Sequence, residues 1–419
     1  MMTAQSEVQA RRPALAGLRV LDMARVLAGP SCAQTLADLG ADVVKIERPV
    51  MGDDTRPWGP PWVPDEQGEP TRDSTYFSSA NRNKRSIAID LANDAGAALV
   101  RRLACEADVL IENYKVGDLA RRGLDYAALS ALNPRLVYCS ITGFGQTGPL
   151  RERPGYDYIF QGVGGLMSVT GHPDGVPGGG PMKIGASIVD VSTGLYASIA
   201  ILAALRERDH SGLGQYVDMA LFDTVAALSP HQAAAYFQTG KVPTRTGTSS
   251  GGIMMPYETF KCADGHLIVA CGNNTQWQGL CAALERDDLA RDPRMATPSA
   301  RQINRDFALA ELRVSFAQCK VDDVAARLDA RGVPNGPINN LQQVFEMEQA
   351  RERGLRVDLP RSDGVMVPGV ASPIRLSATP VQYRHAAPRL GEHAVAVLKE
   401  WLGADASETE ALREAGALG

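Results

Sequence analysis

LRVLDMARVLAGPSCAQTLADLGADVVKIE, residues 18–47, decides the fold. It opens on LRVLDMA, a short apolar run of the kind that forms a strand buried on both faces. RVLAGP breaks the run, SCAQTLADLG reads as a helix closed by Gly40, and ADVVKIE is a second strand. The alternation continues through RSIAIDL, the helix AGAALVRRLACEA and the strands DVLIEN and RLVYCSIT. Strands alternating with helices over residues 18–142 predict an α/β domain with a parallel, doubly wound sheet.

Beyond it the texture changes. Pro149 to Gly185 is rich in glycine and proline, including GVPGGGP, and reads as loop. A long helix is expected from Asp190 to about Glu207, and GQYVDMALFD returns to a strand and opens another helix. TFKCADGHLIVACG reads as two strands joined at Asp264-Gly265, with helices following to Ala330, which predicts a smaller α+β domain. RGVPNGPINN leads back, and the last stretch, with the helix-like EHAVAVLKEWLG, is expected to rejoin the first domain. The domain reading is therefore 1–225, 226–330 and a return over 331–419.

At 419 residues the chain exceeds one compact core. Its 44% hydrophobic and 22% charged residues are ordinary for a soluble globular protein. A net charge of -5 gives no electrostatic case for nucleic acid or an anionic membrane. Seven cysteines without CxxC spacing and six histidines without HxxxH spacing argue against a metal site and a disulfide framework. Reduced thiols suit a cytosol. The start, MMTAQSEVQARRPAL, lacks an apolar core of signal-peptide length, and the apolar stretch Leu195 to Leu205 is too short to span a bilayer. These features predict a soluble, cytoplasmic protein.

A nicotinamide site would want G-x-G-x-x-G directly after the first strand. The turn here, MARVLAGP, has one glycine, and Arg48 follows the acid Glu47 at the end of the second strand. Gly162, Gly164 and Gly165 follow no clear strand, so no nicotinamide is expected. Instead Arg25 follows strand one, Arg48 follows strand two, Asn113 follows a later strand, and Arg121 and Arg122 lie just beyond. Each arginine alone reads as a solvated surface charge. Gathered at the carboxyl ends of the strands, they suit a polyphosphate, which guanidinium groups grip bidentately. Asp190, in GASIVDVSTGLYA, reads first as the N-cap of the long helix. A helix start also favours the ionised carboxylate, the form that attacks a thioester. No cysteine has a histidine or helix start beside it, which disfavours thiol chemistry.

LAGLRVLDMARVLAGPSCAQTLADLGADVVKIERP, NRNKRSIAIDL, DVLIENY, CSITGFGQTGP, GYDYIFQGVGGLMSVTG, GASIVDVSTGLYA and APRLGEH together resemble the class III CoA-transferases, the formyl-CoA transferase or carnitine-dehydratase-like family, from about Leu15 to Leu402. The resemblance implies a Rossmann-like large domain built from both chain ends, a small domain between, and interlocked ring-like homodimers. It implies coenzyme A as the carried group, with Asp190 as nucleophile and an aspartyl-CoA thioester on the path. CoA contacts carry over to Arg25, Val26, Leu27, Ala28, Arg48, Asn113, Tyr114, Arg121 and Arg153. A family lysine contact becomes Ala92 here, a departure in the phosphate grip. Oxyanion-stabilising N–H groups are assigned to GTSSGG, at Gly251 and Gly252.

The family also holds 2-methylacyl-CoA racemases, which use the histidine of a GHD motif for proton transfer. This chain has Gly155-Tyr156-Asp157, and tyrosine is a poor proton shuttle near neutrality. That favours a transferase, with Tyr156 as a pocket residue or simply packing. GDDTRPWGPP, VACGNNTQW and GVPNGPINN resemble most the members that move CoA between dicarboxylic acids such as succinate and glutarate. Arg56 and Trp58 are candidates for the acyl pocket, although Arg56 equally suits a structural salt bridge.

Overall fold

The computed structural model describes residues 12–249 and 254–419; Gly251 and Gly252 lie outside the described residues. The opening stretch folds as its pattern indicates. Strands β1 (Arg19–Asp22) and β2 (Asp42–Glu47) pair in parallel, with the helix Ala28–Asp38 between them in sequence. There follow a hairpin, β3 (Trp62–Pro64) and β4 (Pro70–Ser74), then β5 (Lys84–Ala88), β6 (Val109–Glu112), β7 (Val137–Thr142) and β8 (Tyr216–Ala220).

Six of these strands form one parallel sheet in the order β5-β2-β1-β6-β7-β8. Every residue of β6 and β7 is buried, which is why they open on the continuous apolar runs Val109–Ile111 and Val137–Cys139 rather than alternating, with Glu112, Ser140 and Thr142 buried at or near their carboxyl ends. The chain runs outward from β1 to β2 and β5, then crosses back to β6. The order thus reverses between β1 and β6, and a crevice opens beyond their carboxyl ends.

One sheet face is covered by Leu99, Val100 and Leu103 of the helix Asp94–Cys105 and by Val397, Leu398 and Trp401 of the helix Ala394–Leu402. Val397 and Leu398 are fully buried. At about 1.5–3 kcal/mol each, such side chains make the late segment part of the core. Elsewhere in this unit the helix Ala28–Asp38 packs on the long helix Ile188–Ser211. Gly194 permits the approach, since a Cβ there would sit 2.6 Å from the Ala28 carbonyl oxygen. Asp190 lies one turn before Gly194 on the same helix, so this crossing places it beside the β1 turn.

The chain forms two compact units. The larger gathers the stretch up to Gly165, Gly185–Pro230 and Gln349–Gly419, and the smaller takes Leu166–Ile184 and His231–Glu348. The larger also carries a hairpin that follows the small unit's own strands. Those are β9 (Tyr257–Lys261), β10 (His266–Ala270) and β11 (Asn335–Pro337), antiparallel in the order β11-β10-β9. The hairpin is β12 (Arg356–Pro360) with β13 (Met366–Val370). In the small unit Phe260 stacks on Phe316 with centroids 4.3 Å apart, beside buried Trp277 and Leu312.

Two expectations from the sequence need correction. The glycine-rich stretch after Pro149 contains the helices Asp157–Val163 and Leu166–Val169. Fully buried Phe160, 5.1 Å from Phe144, anchors the first of them despite its glycine neighbours. The long helix begins at Ile188 rather than Asp190 and runs to Ser211, where Gly212 closes it at φ 78°. Its 24 residues are long and apolar enough to cross a membrane by length and composition, and half of its apolar window is buried in the fold.

Candidate active site

The crevice beyond β1 and β6 begins with a turn. Arg25 and Asn113, which follow those two strands, hold each other: the Arg25 N–H donates to Asn113 Oδ1 at 2.9 Å, and Asn113 Nδ2 donates to the Arg25 carbonyl at 2.7 Å. Val26 next takes a left-handed φ of 71°, and the helix Ala28–Asp38 starts with no side-chain cap and no acid in its first turn. Its first N–H groups are therefore available to an anion.

The guanidinium of Arg25 lies over the Tyr114 ring, 5.0 Å from its centroid, and donates to Asp54 at 2.9 Å. Its Nε is buried without a partner. Asp54 also pairs with Arg48, so one carboxylate joins the two arginines that follow β1 and β2. An unpaired buried N–H on a cation and an uncapped helix start both suit a phosphate-bearing ligand.

Asp190 stands across this space. It is the third residue of its helix, and Ser187 holds the N-cap position. The N-cap reading of Asp190 is thus replaced. The work of capping falls to Asp157, whose Oδ1 accepts the N–H of Val189 at 2.7 Å and of Asp190 at 3.2 Å. Gln161 Nε2 steadies the other oxygen at 2.6 Å. The Asp190 carboxylate accepts no hydrogen bond from the described residues and is pushed up to about 7, by burial first and by the Asp157 carboxylate second. A carboxylate in that range is ionised in a large share of molecules at neutrality and is poorly solvated, which suits a nucleophile.

Arg25, Val26, Leu27, Ala28, Asn113, Tyr114, Arg153, Tyr156 and Asp190 all line one cleft of about 240 Å³. Arg48 reaches it through Asp54, which lines it too. Arg121 is exposed, pairs with Asp118 and does not line the cleft. Arg56 is buried and does not line the cleft either. Its guanidinium bonds Glu47 at 2.7 Å and Asp73 at 2.5 Å and stacks on Phe77, the structural salt bridge of the two readings. Trp58 is 44% exposed and meets Tyr76 edge-on at 5.4 Å. Burial and then Asp190 raise the Tyr76 phenol, which shares a hydrogen bond with the Ser187 side chain.

Asp54, Tyr76 and Asp157 escaped the sequence reading. Asp157 stood in the quoted GYD motif, but its partners are 32 and 33 residues away, a separation that no local pattern reveals. Among the described residues no group of three or more His, Cys, Asp or Glu side chains is placed to hold a metal ion.

Known proteins resemble this one over almost the whole chain. The family model for CoA-transferase family III matches residues 15–394. A succinate–glutarate CoA-transferase of Agrobacterium fabrum is 47% identical over 390 residues, 93% of this chain and 96% of that protein. The succinyl-CoA:glutarate CoA-transferase of Mus musculus is 39% identical over 416 residues, 99% of this chain and 92% of that protein. A CAIB/BAIF family protein from Brucella suis superposes with a TM-score of 0.83 at 47% identity, covering 93% of this chain and 100% of that one. A match of this extent places the chain in CoA-transferase family III.

Proposed function

We propose that this enzyme moves CoA from succinyl-CoA, or another dicarboxylyl-CoA, to a glutarate-like acid, with Asp190 as the nucleophile. The observation that carries the reading is the Asp190 carboxylate, uncommitted because Asp157 caps its helix, in the cleft it shares with Arg25, Tyr114 and Arg153. Its ionised oxygen attacks the succinyl thioester carbonyl, the C–S bond breaks, and CoA thiolate leaves a mixed anhydride. The thiolate then attacks the aspartyl carbonyl and expels succinate, giving aspartyl-CoA. The acceptor carboxylate attacks that thioester and releases thiolate again. The thiolate finally takes the acceptor's acyl group and restores the Asp190 carboxylate. No water or net proton is consumed, so each step exchanges one activated carbonyl for another.

Arg25, Arg48 and Arg153, with the first N–H groups of the helix at Ala28, hold the CoA phosphates in this reading, and Tyr114 packs on the ligand. Arg121 reaches the ligand only at its edge. Gly251 and Gly252 supply oxyanion N–H groups. Tyr156 lines the wall where a racemase would need a proton shuttle. We read the molecule as an interlocked homodimer. Val191, Leu195, Tyr196 and Ile199 on the long helix are 41–62% exposed, an apolar stripe that a second copy would cover. Seven unpaired cysteines support a cytoplasmic setting.

The test is intact-protein mass spectrometry after mixing with succinyl-CoA and quenching with hydroxylamine or borohydride. A CoA-sized adduct or its trapped derivative at Asp190, absent from Asp190→Ala, is expected. A wild type that binds CoA yet gives no adduct with any acyl-CoA, and transfers none to glutarate, overturns the mechanism.

A further inference from the structure

Val26 is a β-branched residue at φ 71°, a conformation that persists only where the surroundings over-determine it. Here they do so group by group. The Ala24 N–H donates to Asp22 Oδ1 at 3.1 Å, and the Ala24 carbonyl accepts from Lys45 Nζ at 2.7 Å. The Asn113 amide takes both the N–H and the carbonyl of Arg25. The Val26 N–H donates to Asp53 Oδ1 at 3.3 Å. Every backbone polar group from the Ala24 N–H to the Val26 N–H therefore ends on a side chain rather than on another strand or helix.

The side chains doing this are themselves fixed. Lys45 and Asp53 are fully buried and 2.9 Å apart. Asp53 Oδ1 also accepts from Thr55 N and Oγ1 at 2.9 and 2.8 Å. Lys84, buried as well, holds Asp22 at 2.9 Å. A buried ion pair adds little net stability over an apolar pair of the same shape, so its placement here is better explained by geometry than by energy.

We propose that Lys45, Asp53 and Asn113 are positioning residues for CoA binding. They clamp the turn Ala24–Val26 in the shape that presents Arg25 and the first N–H groups of the following helix to the ligand. Asn113 then acts through Arg25 rather than by touching CoA, because its oxygen and an N–H are already committed. The inference rests on the reading of the Asp190 cleft as the CoA site.

The experiment is calorimetric titration with free CoA, alongside steady-state kinetics with succinyl-CoA and glutarate. Asn113→Ala and Asp53→Ala are compared with and without Val26→Gly, and Arg25→Ala is the reference. Each clamp variant is expected to weaken CoA binding and raise the acyl-CoA KM by about 10–100-fold, the scale of a misplaced binding group, with kcat within about threefold. Val26→Gly is expected to recover at least about tenfold in both backgrounds, because glycine adopts that φ without being held there. A direct contact, or general loss of stability, has no reason to be rescued by glycine. No recovery in either background therefore overturns the clamp. If Asp53→Ala does not fold, partly exposed Asn113→Ala decides alone. If Arg25→Ala weakens CoA while the clamp variants bind normally, only the clamp falls. If Arg25→Ala also binds normally, the reading of the cleft falls, and the clamp with it.

Discussion

The carboxylate of Asp157 accepts the backbone N–H of Asp190 at 3.2 Å, so two acids meet at the start of one helix with only one of them committed to capping it. The like charge helps to lift Asp190 to about 7, after burial.

This gives the first prediction. In the proposed mechanism Asp190 attacks only when ionised, so kcat/KM should rise with pH through about 7 in the free enzyme. Asp157→Asn keeps an acceptor oxygen for the two N–H groups and removes the charge. Its acidic limb should move to lower pH, yet stay above the ordinary aspartate range because burial is the larger cause. A pH–rate profile that does not move would refute the electrostatic coupling.

Asp190 should also cost stability when charged. Its folded pKa lies above its unfolded one, so the folded state binds the proton more tightly and stability falls as pH rises from about 4 to about 7. Asp190→Asn should therefore melt higher than wild type above pH 7, by about 1–2 kcal/mol once solvent at the cleft is allowed for, and the gap should close near pH 4. Calorimetric melting at both pH values checks the sign.

The two arginines placed differently should behave differently. Arg25→Ala removes a half-buried cation from the cleft and should raise the acyl-CoA KM by about 10–100-fold, worth about 1.5–3 kcal/mol for hydrogen bonds to a charged group. Arg121→Ala, at an exposed ion pair outside the cleft, should change it by less than about threefold. Steady-state kinetics at fixed ionic strength separates them.

Arg56→Met should destabilise rather than respecify. It strands Glu47, fully buried, without its cation, at about 3–5 kcal/mol. The urea midpoint should fall while the ratio of glutarate to other acceptors in the remaining folded enzyme stays put. A changed acceptor ratio with an unmoved midpoint would place Arg56 in the acyl pocket instead.

The parallel sheet was legible because β1, β2, β6 and β7 are buried on both faces, and burial of that kind leaves short consecutive apolar stretches, Val20–Leu21, Val43–Val44, Val109–Ile111 and Val137–Cys139, instead of strict alternation. That Arg25 and Arg48 gather near one crevice was legible because they follow β1 and β2, at the carboxyl edge where open α/β sheets form their clefts. The place of Asp190 near the start of the long helix was legible, but its hydrogen-bonding role was not. Its N-cap role went to Asp157, which arrives from another segment. Arg56 shows the same limit from the other side: its proximity to Trp58 in sequence said nothing of Glu47, which buries its charge. Tyr76 gave no sequence signal, since its link to Ser187 and Asp190 exists only once the helix Ile188–Ser211 is in place.

The late helix Ala394–Leu402 bears on how the chain is made. Trp401 Nε1 reaches Asp42 on β2 at 2.9 Å, and the Gly419 N–H reaches the Ala88 carbonyl at 3.1 Å. During synthesis β1, β2 and β5 leave the ribosome more than 300 residues before the helix that covers them. The helix Asp94–Cys105 can cover part of their apolar face early, but the part that Val397, Leu398 and Trp401 fill stays open until the late helix arrives, a long wait in which a partly folded chain is prone to aggregate.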